Sequence, residues 1–132
     1  KVQVGTGWAG ASSGSPLYHD GLLYMASMTG VLMCRDAKTG ALVYAQDLNC
    51  APQMGYVGTP GMSASLSMAG KYIYATDNTF VTIVFEPGRT FKQVAKNVIE
   101  MPGEGQIWSY PVFDGNRMYY RGTKYLYCIG EK

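Results

Sequence analysis

Three stretches of this 132-residue chain repeat one pattern: a short run, a tight turn carrying glycine, and a run of aromatic and branched residues. The first reads Ser15-Pro-Leu-Tyr-His-Asp-Gly-Leu-Leu-Tyr-Met25, and the second Ala64-Ser-Leu-Ser-Met-Ala-Gly-Lys-Tyr-Ile-Tyr74. The third is Tyr110-Pro-Val-Phe-Asp-Gly-Asn-Arg-Met-Tyr-Tyr120. The turn glycines stand at 21, 70 and 115, intervals of 49 and 45 residues. Each stretch predicts a hairpin, and Asp20-Gly21 and Asp114-Gly115 are the kind of pair that type I′ turns favour. A second strand pair follows twice. Val31–Cys34 leads through a turn at 36–40 into Ala41–Tyr44, and Thr79–Phe85 leads through Pro87-Gly88 into Thr90–Val94. The third stretch stops after Lys124–Ile129, one strand short. Helical periodicity is nearly absent, and its best candidate, Thr90–Glu100, is rich in Val and Ile and suits strands as well. With 17 Gly, 11 Tyr and only 15% charged residues, the composition agrees. The predicted class is all-β.

Four short antiparallel strands recurring at this interval are the signature of a β-propeller blade. The expected architecture is about three four-stranded antiparallel blades, over residues 14–48, 62–100 and 107–132, with residues 1–5 an orphan strand. Propellers have roughly four to eight blades, so three leave an incomplete ring with open edges and faces. The chain is therefore expected to be part of a longer propeller, with a ring closed by a second copy as the alternative. Lys1–Val4 either completes a blade or is the outer strand of a preceding one.

The repeats resemble the PQQ-like β-propeller family, which includes quinoprotein alcohol dehydrogenases and the non-enzymatic propeller of the outer-membrane assembly lipoprotein. That family's repeat carries a docking motif of the form Ala-x-Asp-x-x-Thr-Gly-x-x-x-Trp. The first block matches it at Asp36, Thr39 and Gly40, with Cys34 in place of the small Ala and Tyr44 in place of Trp. The second block, Phe85-Glu-Pro-Gly-Arg-Thr, departs further, and the third ends at Cys128-Ile-Gly130. Asp36 can accept backbone N–H groups of the turn, Gly40 can supply a positive φ, and Tyr44 would lie against the next blade. These are structural roles, and they name no reaction.

Chemistry has little to work with. Eleven basic against nine acidic residues give a net charge of +2 without a basic stripe, which argues against a nucleic-acid partner. No apolar run is long enough to span a bilayer. Gly5-Thr-Gly7-Trp-Ala-Gly10 has the letters of a dinucleotide fingerprint, but Ser12–Pro16 and a strand follow where a helix is required, so it reads as an inter-blade loop. His19 is the only histidine and precedes a turn, leaving no zinc set or Ser-His triad. The three cysteines are too few for a disulfide scaffold. Cys34 and Cys128 are expected to be buried and inert, and Cys50, in a loop, to be the more reactive. The carboxylates do not cluster. No catalytic or metal-binding residue is assigned, and the cofactor-binding residues are left open.

What remains is geometric. Three inter-blade loops each carry an aromatic residue, Trp8, Tyr56 and Trp108, and these form the candidate binding face, with inter-blade packing as the competing role. The expected function is a non-catalytic binding or scaffold module without a cofactor. Its partners would be the remainder of a longer propeller or a second copy, together with a protein ligand. Two alternatives stand beside it. One is part of a quinone-dependent dehydrogenase, for which the resemblance implies PQQ and calcium. The other is a ligand-sensing domain of a multidomain protein. The resemblance alone implies a periplasmic or extracellular location.

Overall fold

The computed structural model describes residues 14–50, 61–62, 65–100 and 107–130. These form eleven strands and no helix. The strands are β1 (Leu17–His19), β2 (Leu22–Ala26), β3 (Val31–Asp36), β4 (Leu42–Asp47), β5 (Ser67–Ala69), β6 (Tyr72–Thr76), β7 (Val81–Glu86), β8 (Lys92–Val98), β9 (Val112–Asp114), β10 (Arg117–Arg121) and β11 (Leu126–Gly130). Each sheet is a meander of sequential antiparallel neighbours: β1-β2-β3-β4, then β5-β6-β7-β8, then β9-β10-β11. The third sheet has three strands among the described residues, one fewer than a full repeat.

The hairpins differ in a way their letters hide. His19 pairs with Leu22, so Asp20-Gly21 is the two-residue loop, and both residues have positive φ (44° and 75°), as a type I′ turn requires. In the other two, Ala69 pairs with Tyr72 and Asp114 with Arg117. Their loops are Gly70-Lys71 and Gly115-Asn116, with positive φ (56°) only at the first residue, the position glycine holds in type II′ turns. Asp114-Gly115 is therefore not the type I′ pair its letters predict. Asp114 ends β9, and the glycine has moved one place within the turn.

Strand alternation then sorts side chains between two faces. Tyr24, Leu22 and Ala26 on β2, with Leu32 and Cys34 on β3, face the second sheet. There they form a core with Ile73, Ala75, Ile83 and Phe85. The opposite face of the second sheet meets Tyr120, Tyr127, Met118 and Ile129 of the third around Phe80 and Ile107. The outer pairs also repeat one irregularity: the register shifts between Cys34 and Arg35 in the first sheet and between Val84 and Phe85 in the second.

The turns between the second and third strands of the first two sheets act as anchors. In the first, Ser27 N–H bonds to Val31 O (2.9 Å), and Gly30 has φ 84°. In the second, Asp77 N–H bonds to Val81 O (2.9 Å), and Phe80 stands where Gly30 stood, with φ 65°. A buried aromatic residue in the left-handed region is uncommon and carries strain. Each turn also holds both ends of the connection leaving its sheet. Leu48 N–H bonds to Gly30 O (3.0 Å) and Met62 N–H to Met28 O (3.2 Å), while Ile99 N–H bonds to Phe80 O (3.3 Å) and Ile107 N–H to Asn78 O (3.0 Å).

Candidate functional site

The end of the molecule formed by these turns is the face on which the candidate aromatics were expected. Of the three, Trp8 and Tyr56 lie outside the described residues. Trp108 follows Ile107, whose backbone is pinned to Asn78, and Trp108 is 51% exposed. Two more exposed aromatics belong to the third blade, Tyr110 shortly before β9 and Tyr125 immediately before β11. Tyr125 also packs edge-on against Tyr127 at 6.2 Å. Ser109 Oγ donates to Arg121 O (3.2 Å), which ties the segment to β10.

Apolar side chains also lie on the face of the third sheet that points away from the second. Val112 pairs with Tyr119 and Tyr119 with Cys128, while Arg121 pairs with Leu126, so these residues share one side. Val112, Leu126 and Cys128 are exposed there. Cys128 is thus a surface thiol and not the buried residue expected from its place in the repeat, because no fourth sheet covers it among the described residues. Cys50 is corrected in the opposite direction. It is buried against the first core, its Sγ donates to Leu48 O (3.8 Å), and burial pushes its thiol up to about 12, which makes it unreactive at neutral pH.

The docking-motif residues work at the joint between the first two sheets. Asp36 Oδ1 accepts Lys38 N–H (3.2 Å), Thr39 N–H (3.0 Å) and Thr39 Oγ1–H (3.0 Å), and Gly40 has φ 75°. Those bonds from Thr39, with Arg89 at 3.4 Å across the joint, hold the Asp36 carboxyl below the usual carboxylate range. Tyr44 packs on Phe91, the residue before β8, with ring centroids 6.3 Å apart, and burial raises its hydroxyl's pKa.

Sequence reasoning missed the partner of this motif. Tyr24 clamps the backbone of Gly88, accepting its N–H at 2.8 Å and donating to its carbonyl at 3.3 Å. Cys34 Sγ reaches the same carbonyl at 3.9 Å, and burial raises the pKa of both Tyr24 and Cys34. The signal was the shared letter of Tyr24 and Tyr74, which sit at one register position in their sheets.

The joint between the second and third sheets is built differently. At the anchor-turn end, three buried hydroxyls bond to one another: Thr76 Oγ1 to Thr82 Oγ1 (3.0 Å), Thr82 Oγ1 to Tyr120 OH (2.7 Å) and Thr76 Oγ1 to Tyr120 OH (3.3 Å). At the hairpin end the two sheets part, leaving an open cleft of about 680 Å³ lined by Gly70, Tyr74, Phe113, Asn116 and Gly130 among others. Tyr74 packs against Phe113 with the rings tilted and their centroids 4.7 Å apart.

His19 lies 3.5 Å from Asp20 on an exposed turn. The described residues contain no group of three His, Cys, Asp or Glu side chains able to hold a metal ion. No helix among them is long and apolar enough to cross a membrane.

No protein-family model and no curated protein matches the sequence. Solved structures do match. One is a europium-containing methanol dehydrogenase, with TM-score 0.63, 11% identity, and coverage of 82% of this chain and 25% of that one. Another is BamB from Moraxella catarrhalis, with TM-score 0.59, 17% identity, and coverage of 89% and 31%. The sheets are β-propeller blades. The likeness agrees with the PQQ-like resemblance of the repeats, and at these identities it concerns the fold. The chain spans between a quarter and a third of the length of either propeller.

Proposed function

We propose that the chain is a three-blade portion of a PQQ-like propeller that serves as a non-catalytic binding or scaffold module. The observation that carries this reading is the third blade, where Trp108, Tyr110, Val112, Tyr125 and Leu126 are all exposed. Exposed apolar groups gathered in one blade mark an interaction surface, and aromatics are enriched in such surfaces. The partner is the remainder of the propeller along the open sheet face and a protein ligand at the turn end. A periplasmic or extracellular location follows from the family resemblance.

The test is a titration of the full-length protein with pyrroloquinoline quinone, with and without calcium, followed by tryptophan fluorescence and by oxidation of a short alcohol. The expected result is no calcium-dependent binding and no turnover. Reproducible quinone-dependent turnover would overturn the scaffold reading in favour of a dehydrogenase portion. A photo-crosslinking residue at position 108 supplies the positive arm. It is expected to trap a discrete protein partner in cells, and loss of the adduct with Tyr125→Ala would tie that partner to this face.

A further inference from the structure

The joint between the second and third blades is held together at its anchor-turn end by the hydroxyls of Thr76, Thr82 and Tyr120. At its hairpin end it opens into the cleft of about 680 Å³. That volume falls within the span of small-molecule sites, roughly 300 to 1,000 Å³, which combine an apolar lining with a few polar groups.

The lining has both parts. Tyr74 and Phe113, packed against each other, and Ile129 supply an apolar floor. Asn97, Asn116 and Arg117 stand around it, all three exposed. Asn97 lies opposite Thr82, whose hydroxyl bonds to Tyr120, so it is on the side of the second sheet that faces the third. Among the described residues none of these three side chains makes a hydrogen bond or an ion pair.

Charge narrows the kind of ligand. No carboxylate lines the cleft among the described residues. Glu86, on a neighbouring strand, is already engaged by Lys92 at 2.8 Å. Asp114, the cross-strand partner of Arg117, lines an adjoining hollow and forms no ion pair with it. On the opposite wall Lys71 follows Gly70 in its turn and holds its ammonium 5.2 Å from the centre of the Tyr72 ring. Three cations, Lys71, Lys92 and Arg117, thus stand against two carboxylates around this end of the joint, and the surplus favours an anion.

We propose that the cleft binds a small organic acid with a flat apolar body. The body rests on the Tyr74 and Phe113 floor. The carboxylate stays at the open rim beside Arg117, whose planar guanidinium matches it, and where water lessens the cost of desolvation. Asn97 and Asn116 offer amides to further oxygen atoms of the ligand. The site lies at the opposite end of the blades from Trp108 and is independent of the function proposed above.

The test titrates the chain with phenylacetate and, in parallel, with phenylethanol and with acetate, following saturation transfer to each compound and the resonances of the protein. Phenylacetate is expected to shift the signals of Tyr74, Phe113 and the amides of residues 115–117. It should bind about fivefold more tightly than phenylethanol, an advantage that added salt diminishes, and acetate alone should not bind. Arg117→Gln should remove the advantage of the acid and leave the alcohol unaffected. Ala69→Phe, which fills the cleft from the wall of the second blade, should abolish binding of both. Equal binding of acid and alcohol, an unchanged preference in Arg117→Gln, or no shifts at the cleft with millimolar phenylacetate would each overturn the proposal. Should Ala69→Phe fail to fold, Arg117→Gln at its exposed position decides alone.

Discussion

The joint between the first two blades is dry where the chain leaves the inner strands and polar at its outer turn. The joint between the second and third is polar at the first of these ends and open at the second. Ala26, Leu32 and Ala75 hold in the first the register places that Thr76, Thr82 and Tyr120 hold in the second. The Gly88 turn closes one joint, and a cleft opens in the other. One backbone geometry thus accepts two solutions to the same packing problem. A hydroxyl cluster suffices when every member is satisfied, because the penalty falls on unpaired groups and not on polarity itself.

The largest contrast should come from truncating the two aromatic contacts. Phe85 is fully buried between Tyr24 and Phe91, so Phe85→Ala is expected to cost about 3–5 kcal/mol, read from the urea midpoint at constant slope. Phe113→Ala, on the open side of the second joint, should cost less than half as much. An equal loss at both would mean that the cleft is closed in solution.

Next comes the hydroxyl cluster. Tyr120→Phe leaves the two threonines with only each other and should destabilise the chain by about 1–3 kcal/mol. Combining it with Thr82→Val and Thr76→Val should recover part of that loss, since no buried hydroxyl is then left unpaired. A smaller effect separates the two equivalent tyrosines. Tyr24→Phe removes the acceptor of the Gly88 N–H and should cost about 1 kcal/mol, while Tyr74→Phe should stay within ~0.5 kcal/mol.

Acid provides the gentlest probe. The folded pKa of Asp36 lies below its ordinary value, so its contribution is complete above that value and is lost as pH falls through the folded one. Thermal melts between pH 5 and pH 2 should therefore show a drop below about pH 4 that Asp36→Asn diminishes. No carboxylate occupies the matching place in the third blade, where Gly130 stands opposite Arg117.

The blade plan was legible because glycine, aspartate and aromatic residues recur at fixed intervals, and each of those types has a local reason to sit where it does. Asp36 and Gly40 shape their turn through bonds within a few residues, which a sequence displays directly. The Tyr24–Gly88 clamp joins residues 64 apart, and nothing in either letter names the other. The cysteines misled for a related reason. Cys50 sits in a loop by pattern, yet its neighbours bury it, and Cys128 sits in a core strand by pattern, yet nothing among the described residues covers it. Burial belongs to the partner as much as to the residue. The left-handed Phe80 was hidden too, because only its alignment with Gly30 reveals the position as one that glycine suits.

The paired anchoring of each connection on a single turn carries an evolutionary consequence. Leu48 and Met62 are fastened to neighbouring carbonyls of one turn, as are Ile99 and Ile107 to the next. The span between such fixed ends can change in length at a cost of only about 0.6 kcal/mol per doubling. A blade stack fastened in this manner separates what must stay constant from what is free to diversify. New recognition loops can be tried at one end of the molecule while the strands beneath keep their register.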